Sequence, residues 1–363
     1  MKILYAIQGT GNGHISRARD IIPLLKKKGD IDILISGTEA DVSLGFPVKY
    51  QFKGLCFVFG KKGGIDLVST YKKAKLRRFL REVNNLPVKK YDIVISDFEP
   101  VSAWACLVNH MPCIGLSHQV AVLNKKSPEP NKKDLVGIAI LKKYAPVTEK
   151  FGFHFKAYGK NIFTPVIRNE IRNANSFRSS HYTVYLPAYN DRRIIKILRR
   201  IKDVQWQVFS KHTKKTYKEE NIDVCPVNND AFIKSLLTCT GVLCGAGFET
   251  PAEALFLKKK LMVIPMKGQY EQQCNAAALK EMGVPVLKKL KKPKIEKIIA
   301  WVKNSDVVQV DYPNITESII DEVFKAHTDE INKQTHPLIS RNDSSETKLH
   351  KLNLGNILNQ IKG

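Results

Sequence analysis

Short apolar runs alternate with amphipathic stretches along most of this chain, and the first such unit starts at residue 2. KILYAIQ, residues 2–8, is an almost unbroken apolar run; a glycine-rich loop follows, then helical periodicity from about Ser16 to Lys28, then a second apolar run, IDILISG. Strand, helix and strand in that order predict a βαβ unit. Further on, YDIVISD, ending near Asp97, and PCIGLSH, ending near His118, flank a helix through Trp104. Runs that are apolar at nearly every position suit strands covered on both faces. This half therefore predicts a parallel sheet with helices on each side.

The pattern then restarts. TVYLPAYN reads as a strand, DRRIIKILRRI as an amphipathic helix and VQWQVFS as a strand, followed by GVLCG, a helix from Thr250, and LMVIP. The repetition predicts an α/β protein of two doubly wound, Rossmann-like domains facing across a cleft. Apolar periodicity breaks between Phe163 and Ser180, where Pro165 and several Asn and Ser intervene, which places the domains at 1–164 and 165–330. From about Ala326 the chain turns polar, so residues 331–363 read as a loosely ordered linker and a short C-terminal helix. Asp343 and Glu346 stand at the start of that helix, and Leu354, Ile357, Leu358 and Ile361 share one stripe. Ligands of such sheets bind beyond the carboxyl ends of the strands, so the interdomain cleft is the expected site.

At 363 residues the chain can build two cores, and its 43% hydrophobic content is that of a globular protein. Lys and Arg number 59 against 34 Asp and Glu, a formal net charge of +25. Such a field favours partners carrying phosphate or anionic lipid without choosing among them. No run of eighteen apolar residues offers a membrane span, and MKILYAIQGTGNGH enters a strand and loop too soon for a signal peptide, so the expected location is the cytoplasm. Cysteines occur singly; the closest pair, Cys239 and Cys244, lacks a second pair at zinc spacing, and no His stands in an HxxxH or HExxH pattern. Reduced thiols, no metal and no cofactor are expected.

Candidate chemistry gathers at the predicted strand ends. Gly9, Gly11 and Gly13 in GTGNGHISRA let the backbone approach a ligand at a helix N-terminus, where amide donors favour negative charge. A dinucleotide fingerprint would need a third Gly where His14 stands and an acidic residue closing ILISG, so an NAD site is not expected. His14 has the side chain to take a proton from a hydroxyl near neutral pH, or else it caps the helix. Asp97 either orients His14 and stabilises its imidazolium, or it or Glu99 only caps the following helix. His118 closes the next strand, where it either lines an acceptor pocket or packs. In the second half Gly245 and Gly247 precede a helix whose free amides suit a diphosphate. Glu253 can accept both hydroxyls of a ribose, and Glu271, Gln272 and Asn275 offer groups for sugar hydroxyls.

Taken in order, GAGFETPAEAL and VIPMKGQYEQQCNAA resemble the donor signature of the two-domain GT-B glycosyltransferases. The likeness is to the branch with the UDP-N-acetylglucosamine transferase of peptidoglycan synthesis and the macrolide and plant UDP-sugar transferases. GTGNGHISRA is similar to that family's N-terminal loop and TPVIRNEI to its NPVR segment, so the resemblance spans nearly the whole chain. It implies that the Gly245 to Gly247 loop and Thr250 meet the diphosphate, Glu253 the ribose, and Glu271 with Gln272 the donor sugar. It further implies that His14 is the base toward the acceptor and that Arg168 reaches the donor phosphates. Many members carry His where this chain has Gly245, so that contact falls to backbone, Arg168 or a Lys. The EX7E pairing of retaining relatives is absent, since Leu261 stands eighth after Glu253.

These readings predict an inverting, metal-independent transfer of a hexose-type sugar from a nucleoside diphosphate, UDP first, to a hydroxyl acceptor, a lipid-linked or cell-envelope glycan being one option, with no nucleic-acid partner. Residues 71–83, YKKAKLRRFLREV, predict a helix with Leu76, Phe79, Leu80 and Val83 on one face and basic side chains around the rest. That stripe either packs into the core or lies on an anionic leaflet, each basic residue adding roughly 1 kcal/mol; the second option puts the protein peripherally on the inner face of the membrane. Two rivals stand beside the transferase. One is a sugar-nucleotide epimerase of the same fold; the other is a basic RNA- or membrane-binding protein, which the lack of an aromatic-rich single-strand platform disfavours. GLSHQ lacks the closing Gly of a hydrolase nucleophile elbow.

Overall fold

A computed structural model provides the structure, and it describes residues 1–37, 43–55 and 76–335. The beginning of the basic helix at 71–75 and the C-terminal helix expected beyond Asp343 lie outside the described residues.

The first sheet is built from β1 (Lys2–Gln8), β2 (Asp30–Ser36), β3 (Tyr50–Phe52), β4 (Ile93–Asp97), β5 (Ile114–Ser117), β6 (Glu149–Phe153) and β7 (Ile162–Phe163). Its helices are α1 (Asn12–Lys26), α2 (Leu76–Asn85), α3 (Pro100–Val108), α4 (His118–Val122) and α5 (Leu135–Tyr144). Strands run in the order β3-β2-β1-β4-β5-β6-β7, all neighbours parallel. The order reverses between β1 and β4, where Ile7 lies beside Asp97. The glycine-rich loop and Asp97 thus leave the sheet side by side, at the crevice where such folds hold ligands.

The second half holds α6 (Asn169–Arg172), β8 (His181–Tyr185), α7 (Asp191–Leu198), β9 (Gln205–Ser210), β10 (Tyr217–Glu219), β11 (Ile222–Pro226) and α8 (Asn229–Thr238). After these come β12 (Gly241–Gly245), α9 (Glu249–Phe256), β13 (Lys260–Ile264), α10 (Tyr270–Glu281), α11 (Ile295–Lys303) and α12 (Thr316–Thr335). The sheet order is β10-β11-β9-β8-β12-β13, parallel except for the edge hairpin β10-β11. The molecule has two doubly wound α/β domains, the expected fold class. An apolar cluster runs from Ile15 and Ile22 of α1 through Phe153 and Phe155 to Phe248 and Ala252 of the second domain, so the domains meet through continuous packing.

Several elements differ from their expected bounds for physical reasons. Helix α1 begins at Asn12 rather than Ser16, because Gly11 at φ 95° turns the chain and no side-chain cap marks the start. His118 opens α4 instead of ending a strand; Ser117 caps that helix by accepting from the Val120 N–H at 3.3 Å. The loose linker expected from Ala326 is replaced by helix as far as Thr335. The cause lies upstream: Ile319, Ile320 and Val323 are buried, each worth about 1.5–3 kcal/mol, and they lay α12 against α1. The exposed pairs Lys27–Glu317 and Lys28–Asp321 add about 0–1 kcal/mol apiece. In α2 the apolar stripe is turned inward, with Phe79 and Val83 each 2% exposed, and Arg77 and Arg81 face outward.

Candidate active site

Between the carboxyl edges of the two sheets lies a cavity of about 1120 Å³. Gly11, Gly13, His14 and His118 line it from the first domain, with Arg168, Gly247, Thr250, Glu253, Glu271 and Gln272 opposite. Asp97, Gly245 and Asn275 are not among the lining residues. Both helices that follow glycine-rich turns, α1 after Gly11 and α9 after Phe248, begin without a side-chain cap. Their first amides are therefore not engaged by a capping side chain, unlike those of α3 at Glu99 or α8 at Asn228.

His14 and Asp97 form a dyad. His14 Nδ1 is 2.8 Å from Asp97 Oδ1, and the imidazole is 12% exposed while the carboxylate is fully buried. With Nδ1–H donated to Asp97, the Nε2 lone pair points to the cavity side, where the Gln119 amide nitrogen stands 3.4 Å away. The same amide donates to Glu271 Oε2 at 3.0 Å, joining the two domains. Burial works to raise the Asp97 carboxyl, but Arg17 and then His14 outweigh it and hold it below the usual carboxylate value. Asp97 is thus an anion throughout the neutral range. The capping role weighed for it belongs instead to Glu99, which accepts from the Val101 and Ser102 N–H groups at 2.7 and 2.6 Å.

Arg17 and Glu249 complete this network. The guanidinium donates to both Asp97 oxygens at 2.8 Å and bonds Glu249 of α9 through its other terminal nitrogen. Burial pushes the Glu249 carboxyl up to about 7, with Arg17 opposing the rise and Glu253 adding to it. Its side chain remains 19% exposed, and that residue also lines the cavity.

On the donor-domain side the expected contacts are redistributed. Arg168 Nε and Nη2 donate to the two oxygens of Glu253 at 2.5 and 2.8 Å, and Nη1 donates to Glu170 at 2.9 Å and Asn229 at 3.1 Å. Glu253, 2% exposed, therefore holds Arg168 with the very oxygens expected to meet a ribose. Asn275 is fully buried, donating to the Ala246 carbonyl at 3.1 Å and facing His118 Nε2 at 2.7 Å. Its amide braces the turn rather than reaching a sugar. His118 Nδ1 also lies 2.8 Å from the Phe153 carbonyl oxygen, and the ring stacks on Phe248 with ring centroids 3.9 Å apart. Burial lowers its pKa, opposed by Glu271, the Phe153 carbonyl and Asn275, and the ring packs as a strut between the domains. Gln272 accepts from the Met266 N–H and donates to Gln269, which shapes the loop before α10.

Sequence reasoning passed over Arg17, Gln119 and Glu249. Arg17 carried a signal, standing three residues after His14 on the same helix face. Glu249 lay inside GAGFETPAEAL but next to the more conspicuous Thr250. Gln119 had none, since its role depends on the second domain. Among the described residues no group of three or more His, Cys, Asp or Glu could hold a metal ion. Nor is any described helix long and apolar enough to cross a membrane.

Comparison with known proteins agrees with this architecture. MurG of Acinetobacter baumannii superposes with a TM-score of 0.56 at 15% identity, over 89% of this chain and 99% of that one. UGT89C1 of Arabidopsis thaliana, solved in complex with UDP, gives 0.55 at 11% identity over 90% and 94%. UGT2 of Phytolacca americana, solved with UDP-2-fluoro-glucose and pterostilbene, gives 0.54 at 11% over 92% and 95%. At such identities these likenesses establish the fold. No curated protein sequence matches the chain. The profile described as Glycosyl transferase family 1 matches residues 1–304, both sheets and the cleft between them, and the chain belongs to that family of glycosyltransferases.

Proposed function

We propose that the chain transfers a hexose-type sugar, with inversion and without a metal ion, from UDP to a hydroxyl acceptor. The observation that carries this reading is His14, backed by buried Asp97 and facing the uncapped start of α9 across one cavity. In the proposed step His14 Nε2 takes the acceptor hydroxyl proton as that oxygen bonds the anomeric carbon. The bond from that carbon to the diphosphate breaks on the opposite face, and its electron pair leaves with the diphosphate. Such a base contributes about 10²–10⁴-fold. The leaving charge falls to the amides of Gly247 through Thr250 and to Arg168, which together supply the stabilisation a cation gives elsewhere. UDP as carrier is supported by the structural likeness to proteins solved with UDP and UDP-2-fluoro-glucose.

The acceptor side of the cavity is apolar, with Leu55, Phe98, Val136, Ile140 and Leu141 in its wall. Leu135 is 75% exposed and Val136 48%, next to Lys132 and Lys133, so apolar and basic side chains share one part of the surface beside it. Both features support an acceptor with an apolar tail, lipid-linked at an anionic leaflet, and a peripheral location there. Pelleting with anionic vesicles tests this: the wild type should bind, and Leu135→Asp should release it.

The transferase reading is tested by a thermal-shift screen of UDP-, GDP- and dTDP-sugars, in which UDP-sugars should raise Tm by mass action. Turnover of the donor so found should persist in EDTA and deliver the opposite anomer by NMR. Complete dependence on magnesium or manganese, or a retained anomer, overturns the mechanism. Isomerised donor in the absence of acceptor would point to the epimerase instead.

A further inference from the structure

The inference rests on the base role proposed for His14 and concerns what sets the strength of that base. Arg17 is one helical turn from His14 and only 1% exposed. Its guanidinium is shared by two carboxylates from different domains, Asp97 at the end of β4 and Glu249 at the start of α9. The Phe153 ring covers it at 5.3 Å.

Within the first domain alone, Asp97 and Arg17 cancel. An imidazolium forming at His14 would then meet a guanidinium whose nearer nitrogen is 3.3 Å from Nδ1. Docking of the second domain adds Glu249, and once its carboxyl, raised to about 7, has ionised, the three groups together carry one net negative charge. A nearby buried negative charge favours the protonated ring. The approach is also built sterically. A Cβ at Gly13 would stand 2.9 Å from Glu249 Cγ, so a glycine inside α1 makes room for this carboxylate. The charged and titratable groups facing Glu249 are Arg17, His14, Asp97 and Tyr5 on the first domain, with Glu253 and Arg168 on the donor side.

We propose that Glu249 is a positioning residue that ties the basicity of His14 to domain closure: its carboxylate offsets Arg17 and leaves Asp97 free to support the imidazolium. Acceptor deprotonation is then favoured only with the domains together.

Histidine-selective NMR titration of the full chain tests this without any ligand, the His14 signals being assigned by their loss in His14→Gln. In Glu249→Gln the midpoint of the His14 titration should move to lower pH by about one unit, and Glu249→Asp should restore most of the difference. Gly13→Ala keeps every charge but displaces the carboxylate. It should move the midpoint the same way by a smaller amount, and it carries the test alone if Glu249→Gln does not fold. A midpoint that stays in place or rises in the folded variants overturns the proposal, since a merely structural Glu249 would not move it. The two readings fail separately: a shifted midpoint with full turnover in His14→Ala sinks the base role but leaves the coupling. An unmoved midpoint with an inactive His14→Ala does the reverse.

Discussion

The two domains share one order of core strands, β3-β2-β1-β4-β5 in the first and β11-β9-β8-β12-β13 in the second, reversing between β1 and β4 and between β8 and β12, yet they place their glycine-rich turns on opposite sides of that reversal. In the first domain the turn follows β1 and an aspartate ends β4. In the second, β8 runs into Leu186 and Pro187, and the turn follows β12 instead. The consequence is chemical. The first arrangement puts His14 and Arg17 of one helix against Asp97, an interlocked set of charges suited to moving a proton. The second leaves an open amide turn, where a Cβ added at Gly247 would meet nothing within 4 Å. One topology thus turns two different constellations toward the same cavity, which we propose act as proton site and ligand cradle.

Four experiments press on that contrast, and the largest effect belongs to the proton site. His14→Ala and Asp97→Asn should each lower turnover by about 10²–10⁴-fold while calorimetry finds UDP affinity nearly unchanged; a collapse of UDP binding would erase the division of labour. Next comes the support of the cradle. Glu253→Ala leaves the Arg168 guanidinium, 9% exposed, without its main partner, and should cost about 3–5 kcal/mol in urea unfolding. A loss of only UDP affinity, at full stability, would return Glu253 to direct ligand contact.

Gly247→Val should intrude on the open turn and weaken UDP binding by about 1–3 kcal/mol, with Tm unaltered; unchanged affinity would place the diphosphate elsewhere. The smallest effect concerns the seam between the domains. Burial first, and then His118, hold the His154 pKa down to about 2, whereas an unfolded histidine titrates near about 6.5. The folded state therefore refuses a proton that the unfolded state accepts. Stability is complete above about pH 6.5 and is lost progressively as pH falls from there toward 2. His154→Gln should show a smaller drop in Tm between about pH 7.5 and 5, and an equal drop would move the acid sensitivity to other groups.

Much of this fold was legible because buried parallel strands write themselves as apolar runs: KILYAIQ, YDIVISD, VQWQVFS and GVLCG all became strands. The elements that escaped notice lack that signature. Strand β7 has two residues, and the β10–β11 hairpin carries Lys218, Glu219 and Asp223 at the sheet edge, where polar side chains remain hydrated. Helix α12 escaped because its apolar stripe is narrow and the rest of its surface is polar. At the site, His14, Asp97, Thr250 and Glu271 stand where their positions at strand ends and helix starts indicated. Glu253 also lines the cavity and Asn275 is fully buried outside its lining, and the polar atoms of both bind the protein itself.

By itself the sequence determined the two doubly wound domains, the glycine-rich turns and the residue types gathered at the strand ends, because periodicity and turn chemistry are local and survive in one dimension. Only the tertiary structure decided which partner each charge meets. Arg17 lies 232 residues from Glu249 and 80 from Asp97, Gln119 lies 152 from Glu271, and Arg168 lies 85 from Glu253. Once buried, a charge must be matched by whatever group the packing brings within reach. That match is a property of two surfaces in contact, which no single stretch of chain contains.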